Sequence, residues 1–152
     1  MENFKFGKIL VFSHDNCSCE KQERLELIAD QIAMTSNYDI KFVDSMEDFE
    51  NVVFFDHEVV AVFMEYCKDC KEKFAEVLKK IRTKNKHLPI TLFSTTGVNG
   101  LSVEQFEDIT DTAALYDDTV EFIAGRLVRH AKHYETIIVS PFMKSLVDYA
   151  GD

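Results

Sequence analysis

Two kinds of apolar pattern alternate along the chain. Lys8-Ile-Leu-Val-Phe-Ser13 is a short continuous apolar run, the mark of a strand buried on both faces, and a loop from His14 to Lys21 follows it. From Gln22 to Met34, Leu25, Ile28, Ala29, Ile32 and Ala33 recur at three- and four-residue steps. That spacing lays one apolar stripe of a helix against a core, and Asn37 closes it. Tyr38-Asp-Ile-Lys-Phe-Val43 alternates and predicts a second, more exposed strand. Ser45 with Asp48 caps a short helix over Met46–Phe54, and Glu58 to Tyr66 is the third strand.

From Asp69 to Lys84 the chain puts Phe74, Val77, Leu78 and Ile81 on one face and lysines on most of the rest, a surface helix that has stopped before Pro89. Leu88 to Ser94 is the fourth strand, with Gly97 and Gly100 in the turn beyond it. Ser102-Val-Glu-Gln-Phe opens another helix with a capping box, and Thr112 to Tyr116 is a short fifth strand. A long helix runs from Asp118 to about Val139, where Pro141 separates it from a last helical segment ending at Tyr149.

Strands alternating with helices of these lengths build βαβ units, hence one parallel sheet with helices on both faces. The expected fold is a flavodoxin-like or receiver-like three-layer α/β sandwich, a five-stranded parallel sheet of order 2-1-3-4-5. Residues 1–140 form this domain, and residues 141–152, outside the βαβ unit, begin a linker helix to a further domain.

Composition narrows the partners. The chain has 152 residues, 17 Lys and Arg against 27 Asp and Glu, and a formal net charge of −10. A chain of that length buries roughly 68–70% of its unfolded surface and needs no disulfide or metal to fold. Such an acidic chain repels phosphate backbones and anionic lipid, so neither nucleic acid nor a membrane is an expected partner. The most apolar stretch, Asn51 to Met64, is broken by Asp56, His57 and Glu58 and falls short of a spanning helix. No secretory signal opens the chain, which reads as cytoplasmic.

In a reducing compartment, cysteines are weighed as thiols or metal ligands before disulfides. Cys17-x-Cys19 follows strand one and Cys67-x-x-Cys70 follows strand three, neighbours in the 2-1-3-4-5 order. If the four thiols converge they form a tetrahedral site for zinc, at about 2.3 Å per sulfur; otherwise they are inert loop residues. A receiver-type phosphorylation site needs an acidic pair after strand one and an Asp ending strand three. Here Ser13 and His14 end the first and Met64 and Glu65 the third, and no Lys follows Tyr116. A flavin phosphate loop needs glycine where the chain has His-Asp-Asn-Cys-Ser-Cys-Glu. Arg126, Arg129, His130, Lys132 and His133 read as a solvated basic face of the last long helix. No catalytic residue and no cofactor-binding residue is identified.

The carboxyl-terminal third carries a resemblance. Tyr116-Asp-Asp-Thr-Val-Glu-Phe-Ile-Ala-Gly-Arg126, then Tyr134, then Ile138-Val-Ser-Pro-Phe-Met-Lys-Ser-Leu-Val-Asp-Tyr-Ala150 resemble the end of the N-terminal wing domain of the bacterial ornithine/lysine/arginine decarboxylases. The likeness is greatest to the acid-inducible, biodegradative arginine enzymes, and His87 to Ser94 fits the wing's fourth strand. The resemblance implies a non-catalytic assembly domain of a pyridoxal-phosphate enzyme that decarboxylates a basic amino acid, with catalysis downstream and self-association into larger rings in acid. The alternative is a free-standing flavodoxin-like regulatory or zinc/thiol-binding module.

Charge placement agrees with assembly. Glu104, Glu107, Asp108, Asp111, Asp117, Asp118 and Glu121 form an acidic run with no basic residue among them. The first four, Glu104, Glu107, Asp108 and Asp111, make the candidate assembly surface. The basic helix around Lys68 to Lys86 is its complement between subunits.

Overall fold

The computed structural model of the chain describes residues 7–14, 19–66, 71–95 and 108–150, the side chains of Lys71 and of residues 138–150 excepted. Its strands are β1 (Lys8–Phe12), β2 (Asp39–Val43), β3 (Val59–Glu65), β4 (Ile90–Ser94) and β5 (Asp111–Ala114). They form one parallel sheet in the order β2-β1-β3-β4-β5, as the alternation of patterns predicts. Four helices lie among the described residues: α1 (Cys19–Thr35), α2 (Met46–Phe55), α3 (Lys71–Lys84) and α4 (Val120–Ala150). α1 packs against α4 on one face of the sheet and α2 touches α3 on the other, giving three layers.

Burial explains which strands are central. Every residue of β3 and of β4 is buried, and so are Ile9, Leu10, Val11 and Phe12 of β1, because helices cover both faces there. The chain has 13 Phe and no Trp, and Phe rings fill the space between layers. Phe63 and Phe93 stack at 4.4 Å between centroids on adjacent strands, and Phe12 tilts against Phe49 of α2 at 5.4 Å. The edge strand β2 exposes Lys41 and Phe42, and its charged positions blunt pairing with another chain.

Local signals set the helix starts. Ser45 Oγ accepts from the Asp48 amide at 3.1 Å, the cap read from sequence. Thr119 Oγ1 accepts from the Phe122 amide at 3.1 Å and opens α4. α1 begins at Cys19, three residues before the apolar periodicity does, because Lys21 in its first turn is drawn into the protein.

One boundary differs more. α4 runs unbroken through Pro141 to Ala150, a helix of 31 residues and about 46 Å. Proline removes one amide donor, and a helix already held over its first turns against α1 and the sheet carries that local defect as an interruption in its hydrogen bonds. The expected capping box at Ser102 and the turn glycines Gly97 and Gly100 lie outside the described residues.

β1 enters the sheet through a close approach at Gly7. A Cβ there would stand 2.7 Å from Val60 Cγ1 and 3.0 Å from the Glu58 carbonyl oxygen, beside the register shift between Lys8 and Ile9. Gly7→Ala should therefore lower unfolding free energy by about 1–3 kcal/mol through overpacking, read from urea denaturation monitored by circular dichroism. Unchanged stability would mean that β1 shifts freely at its start.

Candidate functional site

In an open parallel sheet, chemistry gathers at the carboxyl ends of the strands where the strand order reverses, here between β1 and β3. Glu65 ends β3 at that point and is 6% exposed. Its Oε1 accepts from Lys21 Nζ at 3.0 Å, from the His14 amide at 2.9 Å and from Ser13 Oγ at 3.3 Å. Lys21, 3% exposed, also donates to the His14 carbonyl at 2.8 Å. Two charges taken out of water are costly unless they pair and gain further hydrogen bonds, and here they pair while Oε1 and Nζ each take additional partners. The His14 ring stands edge-on to Phe12 at 4.8 Å between centroids.

This arrangement is a brace. The carboxylate where a receiver domain would carry its phosphoacceptor is a glutamate already committed to three donors. The next cation of α1 extends the brace across the sheet. Arg24 donates to the Leu115 carbonyl at 2.8 Å and to the Asp118 carbonyl, holding the turn between β5 and α4.

A second ionic cluster joins β5 to α4. Asp111, the first residue of β5, pairs with Arg126, and its other oxygen lies 2.9 Å from His130 Nε2. Arg126 also lies over the Phe122 ring, 5.1 Å from its centroid. The Asp111 side chain is only 11% exposed, so this residue leaves the acidic face expected from sequence and becomes a packing element. Arg126 and His130 correspondingly leave the expected solvated basic face. The available signal was their four-residue spacing next to Ile123 and Leu127, which turns both toward the sheet.

Of the remaining predicted residues only some are described. Cys19 is an exposed free thiol at the start of α1, whereas Cys17, Cys67 and Cys70 lie outside the described residues. Among the described residues no three His, Cys, Asp or Glu side chains are grouped to hold a metal ion. Glu104 and Glu107 are also outside them. Asp108 meets α3 through its backbone, its carbonyl accepting from Arg82 Nε at 2.9 Å. Arg82 gives its other donors to the carbonyls of Asn85 and Leu88 at 3.2 and 2.8 Å, so it caps α3 and is no free surface charge.

Among the described residues of the sheet's carboxyl edge, the lysine present does not fit pyridoxal phosphate. A Schiff base needs an amine able to lose its proton and reach a carbonyl, and Lys21 there is buried against Glu65 and the His14 carbonyl. No described helix is long and apolar enough to cross a membrane.

Asp111→Asn removes the charge that holds Arg126 and His130 while keeping the side chain's shape. It should cost about 2 kcal/mol of stability in urea unfolding, the range for hydrogen bonds to charged groups. A loss below about 0.5 kcal/mol, the range of ordinary surface changes, would contradict a packing role.

The sheet edge braced from α1 and the α4 helix locked onto β5 can be set beside known proteins. The family model described as "Orn/Lys/Arg decarboxylase, N-terminal domain" matches residues 20–134. A search of curated protein sequences gave no match. Among solved structures, lysine decarboxylase A from Pseudomonas aeruginosa is similar with a TM-score of 0.76 and 18% identity, covering 99% of this chain and 21% of that one. The E. coli constitutive lysine decarboxylase gives 0.69 at 18% identity, covering 96% and 20%. A signal receiver domain from Clostridium thermocellum gives 0.63 at 16% identity, covering 83% and 98%. At such identities these likenesses show the fold, and the chain spans about a fifth of the length of the two decarboxylases. The family match covers most of the chain, from the first turn of α1 to the Tyr134 that α4 buries, and on that ground the chain belongs to the Orn/Lys/Arg decarboxylase N-terminal domain family.

Proposed function

We propose that this chain is the non-catalytic N-terminal assembly domain of a pyridoxal-phosphate-dependent basic amino-acid decarboxylase, and that it promotes self-association as pH falls. The observation that carries the reading is the family match over residues 20–134, supported by the Lys21–Glu65 pair that braces the described part of the sheet's carboxyl edge. A domain whose usual reaction edge is braced internally acts through its outer surface. Residues 1–140 are the wing in this reading, and residues 141–152 lead toward the cofactor-binding part of the parent enzyme.

Charge supplies the pH dependence. At neutral pH a formal net charge of −10 per chain opposes the approach of like faces. Toward pH 5, histidines with reference pKa near 6.5 gain protons and carboxylates near 4 begin to lose charge, so repulsion fades. Within the acidic run, Asp117 and Glu121 are exposed, while Asp118 Oδ2 accepts from the Ala114 amide at 2.9 Å. Arginine is the parent substrate favoured by the likeness of Phe122-Ile-Ala-Gly-Arg126. In the fold, though, Ile123 and Ala124 are buried and Arg126 holds Asp111, so the same segment serves packing.

In the parent enzyme, deleting residues 1–140 should leave decarboxylase turnover per active site within about twofold and abolish growth of assemblies between pH 8 and pH 5. Sedimentation at low salt reads the second effect, because screening at ~0.15 M ionic strength weakens surface repulsion. Reversing Glu104, Glu107 and Asp108 to Lys should move assembly toward neutral pH. Assemblies that stay the same across that pH range in wild type and in the triple reversal would overturn the acid-dependent reading, and lost turnover on deletion would overturn the non-catalytic one.

A further inference from the structure

A cavity of about 270 Å³ opens at the amino-terminal end of β3, away from the braced edge, between the carboxyl ends of α2 and α3 and the side of α4. The apolar part of its wall is Val53 and Phe54 from α2, Val59 from β3, and Ile81 and Leu88 from around α3. Its polar groups differ in how far they are already engaged. Asp56 gives Oδ2 to Lys8 Nζ at 2.8 Å and Oδ1 to the Glu58 amide at 2.9 Å, and the Lys8 hydrogen bond holds its carboxyl below the usual carboxylate range. Asn85 gives Oδ1 to the His87 and Leu88 amides, both at 3.1 Å, and Nδ2 to Tyr134 Oη at 2.8 Å.

What remains unspent is donor capacity. Tyr134 Oη accepts from Asn85, which leaves its own proton to give. Lys84 has no carboxylate partner among the described residues. Its Nζ lies 4.8 Å from the centroid of the Phe54 ring that lines the same cavity, and a shallower hollow beside it shares Phe54 and Lys84 and adds Lys80. His57 also lines the opening. Just beyond α3, the Arg82 guanidinium donates to the carbonyls of Asn85, Lys86 and Leu88, which would otherwise repel an anion. Apolar side chains lining the same cavity as a cation and a hydroxyl donor match a ligand with an apolar body and an acceptor-bearing anionic head. The volume, just below the ~300–1,000 Å³ usual for ligand sites, limits the body to one ring or a short branched chain.

We propose that this cavity binds a small organic carboxylate, with the apolar body against Phe54, Ile81 and Leu88 and the carboxylate taken by Lys84 and the Tyr134 hydroxyl. The site is separate from the assembly role and stands or falls without it.

Phenylacetate is the probe, with phenylacetamide as the neutral isostere, titrated into the 152-residue chain while backbone amide shifts are followed by NMR. The expected result is saturable shifts confined to amides around Val53, His57, Lys84 and Leu88, with phenylacetamide binding at least ~10-fold more weakly. Lys84→Met, an exposed position, should weaken phenylacetate ~10-fold and leave phenylacetamide unchanged. Tyr134→Phe should weaken phenylacetate by ~3- to 10-fold, and if it alters the packing of α4 the Lys84 variant decides. Equal affinity for acid and amide, shifts located elsewhere, or no saturation by ~10 mM phenylacetate would each overturn the proposal.

Discussion

The carboxyl edge of this sheet depends on one buried ion pair. Glu65 ends a strand that is buried at every residue, so its carboxylate has little water and must find partners within the protein. Lys21 supplies the charge, and Ser13 and the His14 amide donate to the same carboxylate oxygen. Because Lys21 stands in the first turn of α1 and Glu65 on β3, the pair fixes the start of that helix against two central strands. Arg24, one turn later, carries the hold to the start of the β5–α4 turn.

The other charges near the core follow the same logic. Arg82 is spent on carbonyls around the end of α3, and Asp111 on Arg126 and His130. Arg82 links the segment before β5 to α3, and Asp111 ties β5 to the helix that follows it. In this acidic chain the buried and half-buried cations act as internal fasteners. Among the described residues, the carboxyl edge, the usual place for chemistry in such sheets, is braced by its own side chains.

The fold was legible in the sequence because its signals are local. Continuous apolar runs at Ile9–Phe12 and Val59–Met64, the helical stripe through Leu25, Ile28 and Ile32, and the Ser45 cap each fix an element without reference to the rest. The strand order is then the one expected when five strands alternate with helices in so short a doubly wound sheet. The sites were less legible because ion pairing is a long-range property. Lys21 and Glu65 are separated by 44 positions and Asp111 and His130 by 19, and nothing in composition says which carboxylate meets which cation. Asp111 therefore read as one of an acidic run until its place at the start of β5 turned it toward α4. Pro141 misled for the opposite reason: a local signal for a helix end was overridden by a helix anchored along α1 and the sheet.

The most direct test of the brace is a double-mutant cycle, with Lys21→Met, Glu65→Leu and the pair together, measured by urea unfolding. Removing one member of a buried pair strands the other charge, so Lys21→Met alone should cost about 3–5 kcal/mol, or fail to fold. The double substitution should recover most of that loss, because two apolar side chains leave no charge to solvate. Additive losses, or a Lys21→Met variant within about 1 kcal/mol of the wild type, would show that the carboxyl edge is held by something other than this pair.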